Sequence, residues 1–132
     1  METRRVGWLL LVRQSAAQPS DAEWDRFLTL LREARPTFER IKILVLTKGG
    51  GPSAPQRERL AKTLEGKPVR VALVTDSVKV RFVAAMIALF HKDLRSFLEH
   101  EFRRACAHVG MTAEEAIVAE RTLDEMGQSI AP

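Results

Sequence analysis

Apolar residues come in short blocks along the chain, and between them runs a slower, helical rhythm. Residues 6–12 form a nearly unbroken apolar run, the pattern of a strand covered on both faces. A polar stretch to Pro19 ends it. Ser20-Asp21-Ala22-Glu23 then reads as a capping box, and Trp24, Phe27, Leu28 and Leu31 follow at helical spacing as one core-facing stripe, up to Pro36. Residues 41–46 are a second strand, and Ser53 with Gln56 is a second capping box. Pro55 suits the first turn of that helix, Leu60, Ala61 and Leu64 give it an apolar stripe, and Gly66 is placed to end it.

Residues 69–74 predict a third strand, capped into a helix by Thr75-Asp76-Ser77. Phe82, Val83, Met86, Ile87 and Phe90 make that helix apolar over much of its circumference. It reads as a central core helix, with a dimer interface or the wall of a lipid-sized pocket as the other readings. Residues 94–98 suggest a short fourth strand, followed by a helix through Phe102, Cys106 and Val109 to Gly110. Thr112 and Glu115 form a third capping box for a last helix, expected to run to about Met126 before Gly127. The fold class that follows is α/β: a mainly parallel sheet of four to five strands with alternating helices and an extra carboxyl-terminal helix. Residues 1–132 form one domain, with an ordered core of about residues 6–126.

Composition narrows the setting. The 45% hydrophobic and 29% charged residues are those of a folded globular chain. The single cysteine, Cys106, cannot form an internal bridge, which suits a reducing cytoplasm. Arg4-Arg5 ahead of the first apolar run imitates a signal peptide, but that run is at the short limit for export and a buried strand explains it. No stretch has the length of a membrane span. The net charge of +4 is spread among interrupting acids, and with no tyrosine there is little for base stacking, so nucleic acid is not the expected partner.

The most suggestive chemistry is the loop from Thr47 through Lys48, Gly49, Gly50, Gly51 and Pro52. It leaves a strand's carboxyl end and enters a helix, the usual ligand position in open α/β sheets. It lacks the Gly-Lys-Ser/Thr of a P-loop and the Gly-x-Gly-x-x-Gly fingerprint, so the glycines can equally serve a sharp turn. Asp76 and Ser77 occupy the equivalent junction one strand later, as a helix cap or an anion site. Arg13-Gln14-Ser15 supplies no acidic pair for a receiver domain. His91, His100 and His108 do not share a helical face, so no metal site is expected. Cys106 reads as a small buried hydrophobe and Trp24 as core. There is no Gly-x-Ser-x-Gly elbow, no cofactor motif and no legible catalytic set, so the chain reads as a non-enzyme.

Together, residues 19–25 (PSDAEWD), 44–50 (LVLTKGG) and 71–76 (VALVTD) resemble the STAS-like superfamily. Within it they look like the stand-alone bacterial domains grouped with anti-sigma-factor antagonists and CRAL-TRIO-type lipid-binding domains. The resemblance spans roughly residues 6–125. It implies a non-enzymatic domain with a parallel-dominated sheet and helices mostly on one face, acting as a regulatory or protein-interaction module in bacterial cytoplasmic signalling. In anti-sigma-factor antagonists a Ser at the start of the helix after a central strand is phosphorylated by a partner kinase. The matching region runs from Gly49 to Gln56, with Ser53 the nearest hydroxyl and no Asp-Ser-Ser-Gly signature; Ser77, after Asp76, belongs to the next junction.

The expected surface is thus Lys48, Gly49, Gly50, Gly51, Ser53 and Arg57 together with Asp76, Ser77 and Lys79, with Ser53 and Ser77 as candidate phosphorylation sites. The expected partner is another protein, with a homodimer possible. The alternative is a small-ligand, lipid or nucleotide-binding protein using the Gly-rich loop or a pocket beside residues 78–90.

Overall fold

The computed structural model describes residues 1–88 and 93–130. Five strands lie in sequence order in one sheet: β1 (Glu2–Val6), β2 (Leu9–Gln14), β3 (Lys42–Thr47), β4 (Val71–Val74) and β5 (Leu94–Phe97). β1 is antiparallel to β2, and each later strand is parallel to its predecessor. The sheet is therefore mixed, with a parallel body and one antiparallel edge.

That edge departs from the expected single strand over residues 6–12. The chain reverses at Gly7-Trp8, where Val6 pairs with Leu9 and Gly7 takes a φ of +58°. A two-residue hairpin turn favours glycine at its first position for this reason. β1 escaped the apolar pattern because it is an edge strand that carries Glu2, Arg4 and Arg5.

The strand after the turn meets the expectation of two-sided burial. Leu9, Leu10, Leu11 and Val12 of β2 are all buried. Leu9 and Leu11 enter one core with Leu44, Val74, Cys106, Leu123 and Met126. Leu10 and Val12 enter the other with Trp24, Leu28, Leu31 and Ile43. The first core is capped by α4 (Phe102–His108) and α5 (Ala113–Ile130), the second by α1 (Asp21–Ala34) and α2 (Ala54–Leu64). Helices thus cover both faces rather than mostly one, because β2 and β3 are apolar on alternate residues of both parities.

All three capping boxes form. Ser20 Oγ accepts the Glu23 N–H at 3.1 Å, Ser53 Oγ the Gln56 N–H at 3.3 Å and Thr112 Oγ1 the Glu115 N–H at 3.1 Å. Pro36 falls in a 3₁₀ turn, Arg35–Thr37, that continues α1. Glu65 closes α2 in the left-handed region at φ 48°, ahead of Gly66.

Two helices differ from expectation. α5 does not stop before Gly127 but runs on to Ile130. Gly127 provides clearance rather than a stop: a Cβ there would lie 2.4 Å from the Arg13 guanidinium carbon. Arg13 crosses the helix at that point and donates to the Leu123 carbonyl at 2.9 Å. The helix α3 (Val78–Ala88) is not central either. It packs along the edge strand β5 and buries only Ala84, while Val78 is 76% exposed, Phe82 67%, Met86 50% and Val83 43%. A helix beside an edge strand has sheet on one side only, so its outer apolar residues remain in solvent. Phe90 lies outside the described residues.

Lys42, at the start of β3, pairs with Glu115 in the first turn of α5, and both side chains are half-buried. The Lys42 ammonium and the Thr112 N–H hold the Glu115 carboxyl below its usual range. An unfolded chain takes up that proton first as pH falls, so the stabilisation is present at neutral pH and lost through acidification below the ordinary carboxylate value. Lys42→Met is expected to cost roughly 1–2 kcal/mol at pH 7. In urea denaturation the gap from the native protein should narrow in strong acid; a gap independent of pH would assign the loss to packing instead.

Candidate functional site at the carboxyl end of the sheet

The parallel strands deliver four loops to one end of the sheet. The loop after β3 is bonded onto the loop after β2: the Lys48 N–H donates to the Gln14 carbonyl and the Gly50 N–H to that of Ser15, both at 2.9 Å. Thr47 Oγ1 donates to the Gly50 carbonyl at 2.6 Å and accepts the Gly49 N–H at 3.2 Å. Gly49 has a φ of +134°, a region side chains disfavour. Gly50 is buried, and a Cβ on it would lie 2.0 Å from the Ala17 carbonyl oxygen and 2.6 Å from that of Ser15. Nothing lies within 4 Å of where a Cβ on Gly51 would sit. Of the three glycines, Gly50 therefore serves the close approach of two loops and Gly49 the positive φ of the turn.

The bracing extends along the sheet. Lys48 Nζ pairs with Glu99 Oε1 at 2.7 Å, and the Glu99 N–H donates to Asp76 Oδ1 at 3.0 Å. The loops after β3, β4 and β5 are thereby linked. Gln56 joins the first two helices. Its side-chain NH₂ donates to the Pro19 carbonyl at 2.9 Å and to Asp21 Oδ1 at 3.1 Å, its Oε1 accepts the Ser53 N–H, and its carbonyl accepts the Trp24 indole N–H at 2.9 Å. Every one of these groups is satisfied locally, which makes a stiff platform.

The expected site residues do gather here, but several are already occupied. Ser53 and Ser77 act as helix caps, with Ser77 Oγ accepting the Val80 N–H at 3.3 Å. At the amino end of α2, Pro55 has no N–H and the Gln56 N–H is taken by Ser53, so little is offered to a phosphate. Lys48, Arg57, Asp76 and Lys79 are exposed around the rim, and Arg57 donates to the Pro52 carbonyl at 3.0 Å. The bracing roles of Gln56 and Glu99 were not visible in the sequence. The capping box revealed only one of the contacts of Gln56, and Glu99 carries no local pattern.

A surface groove lies at the opposite end of the sheet. It holds about 500 Å³ and is lined by Trp8, Phe38, Arg40, Arg70 and Asp93 among others. The Arg40 guanidinium stands 5.5 Å from the Trp8 ring centre. The expected pocket beside residues 78–90 lies partly outside the described residues, and this groove does not reach α3.

Among the histidines, His108 lies tilted against Phe97, with ring centres 5.7 Å apart, and contacts the Asp93 carbonyl; His100 is exposed, and His91 lies outside the described residues. Among the described residues no group of three or more His, Cys, Asp or Glu is placed to hold a metal ion. None of the described helices is long and apolar enough to cross a membrane. No protein-family model, curated protein or solved structure matches the chain.

Gly50→Ala should destabilise the fold by about 1–3 kcal/mol through overpacking, while Gly51→Ala should stay within about 0.5 kcal/mol of the native protein. Equal unfolding midpoints for the two variants would refute the assigned division of labour among the glycines. Cys106 is buried, and desolvation pushes its thiol up to about 11. It should therefore resist alkylation by iodoacetamide at mildly alkaline pH in the native state and react at once in denaturant. Rapid native labelling would contradict its burial. The same shift makes stability fall as pH rises from about 9 towards about 11, because the unfolded thiol ionises first.

Proposed function

We propose that the chain is a non-catalytic protein-interaction module of STAS-like type, acting in bacterial cytoplasmic signalling, which presents the carboxyl end of its sheet to a partner protein. The observation that carries this reading is the bracing of four loops into one preformed surface by Lys48–Glu99, Glu99–Asp76 and the Gln56 contacts. A surface ordered before binding loses little conformational freedom when a partner docks, so its rim charges can act on affinity and recognition. Arg57, Lys79 and Asp76 are those charges. Ser53 lies at the start of α2, one turn before Arg57, so a phosphate added there would displace its capping hydroxyl and stand near that cation. Such a modification would couple the surface to a kinase.

A small-ligand reading draws on the groove at the other end, where Trp8 and Arg40 together offer a flat aromatic and cationic wall for a planar or anionic molecule. It moves the ligand away from the Gly-rich loop.

Two variants separate the readings. Arg57→Glu reverses a rim charge, and the exchange Lys48→Glu with Glu99→Lys keeps the brace while reversing its polarity. Both should unfold at the native temperature yet lose roughly tenfold or more in affinity for proteins that the native chain retains under native conditions. Unchanged retention of every such protein by both variants would overturn the proposal. Loss of a co-purifying small molecule on Trp8→Ala would instead favour the groove.

A further inference from the structure

The outer side of α3 has an unusual composition for a surface. Val78, Phe82 and Met86 recur at every fourth residue and form one ridge along the helix, and all three are exposed. Phe82 is at its centre, and Val83 lies beside it. At 100° per residue, Lys79 falls on one side of that ridge and Arg81 on the other, both exposed. From Ser77 to Lys92 the sequence carries Lys79, Arg81, His91 and Lys92 and no acidic residue at all. Asp76 and Asp93, both exposed, bound that stretch, and Glu101, which feels the charge of Arg81, is itself engaged by the Leu98 N–H and by Arg104.

We propose that α3 is a peripheral membrane-docking helix that lies on an anionic lipid bilayer, with Phe82 and Met86 entering the acyl boundary and Lys79 and Arg81 meeting lipid phosphates. Charge complementarity selects this occupant. An apolar ridge flanked by cations, with no acid between, matches the level structure of an anionic bilayer, where apolar tips go in and basic stems reach back to headgroups. A groove on a partner protein would have to desolvate both flanking cations to grip the ridge. A second copy fits less well. An 11-residue helix is only about 16 Å long and presents a ridge one side chain wide, well short of the roughly 800 Å² per partner of a stable interface. A twofold contact would also bring each copy's Lys79 and Arg81 towards the same residues of the other.

The inference shares only Lys79 with the partner-binding surface proposed above, and Phe82→Asp, which leaves that surface intact, keeps the two distinguishable. The test is co-sedimentation with vesicles of phosphatidylcholine alone or mixed with phosphatidylglycerol, at low and high salt. The full chain should bind the mixed vesicles, bind less as salt rises, and ignore the neutral ones. Phe82→Asp and the pair Lys79→Glu with Arg81→Glu should each reduce binding roughly tenfold or more. Their unfolding midpoints should stay near native, because the altered side chains touch solvent. Phe82→Trp supplies a second readout: its added fluorescence should be quenched by brominated acyl chains. The proposal is overturned if the native chain ignores anionic vesicles. It is also overturned if Phe82→Asp instead dissociates a dimer in sedimentation velocity, or abolishes capture of a protein partner without any vesicle binding.

Discussion

The double burial of β2 is the constraint on which the rest of the structure depends. Four consecutive apolar side chains, Leu9 to Val12, point alternately into two separate cores. A strand of that kind is stable only if both faces of its sheet are covered. α1 and α2 meet one half of this demand, and α4 and α5 the other. The carboxyl-terminal helices are therefore structural: without Leu123 and Met126 above them, Leu9, Leu11 and Leu44 would face water. At about 25 cal/mol per Å² of apolar surface, exposing such a layer outweighs the net stability of an ordinary domain.

Covering both faces also decides where polar chemistry can sit. With helices above and below, backbone ends reach solvent only at the two ends of the strands and at the two edges of the sheet. At the carboxyl end, loop carbonyls and amides are consumed by one another, through Thr47, Gly50, Gln56 and Glu99. The Gly-rich loop thus resembles a phosphate cradle in sequence and differs from one in geometry. In a cradle, glycine lets backbone N–H groups point at a ligand. Here Gly50 lets backbone approach backbone, and its N–H is bound to Ser15.

Where local pattern determines structure, the sequence was legible. Capping boxes at Ser20, Ser53 and Thr112 located three helix starts, since each is a contact between residues three apart. The β-branched and leucine-rich runs located β2, β3 and β4, while β5 fell within the short strand suggested over residues 94–98. What local pattern does not contain was missed. β1 is an edge strand whose polar residues carry no strong signal, and Gly7 hid a chain reversal within an apolar run. Gly127 looked like a helix stop because its real cause, the Arg13 side chain, comes from the far end of the sequence. For the candidate site, the sequence showed that Lys48, Ser53 and Ser77 follow strand ends, but only three-dimensional contacts reveal that each is already engaged.

The same logic explains why α3 misled. Helical periodicity reports that a face is apolar; it does not report what that face meets. For α1 the stripe of Trp24, Phe27, Leu28 and Leu31 meets β2 and β3, which have strands on either side. The apolar residues of α3 exceed what one edge strand can cover, because β5 is only four residues long and, among the described residues, has no strand beyond it. A helix at that position needs only a narrow inner stripe, which Ala84 with Val80 and Ile87 supplies. Phe82 and Met86 therefore contribute little to holding the helix on the sheet, and in solvent they forfeit the burial energy their size would otherwise provide. Residues that fold stability does not require, placed where they cost solubility, call for an explanation outside the fold. The cations beside them point to an anionic surface.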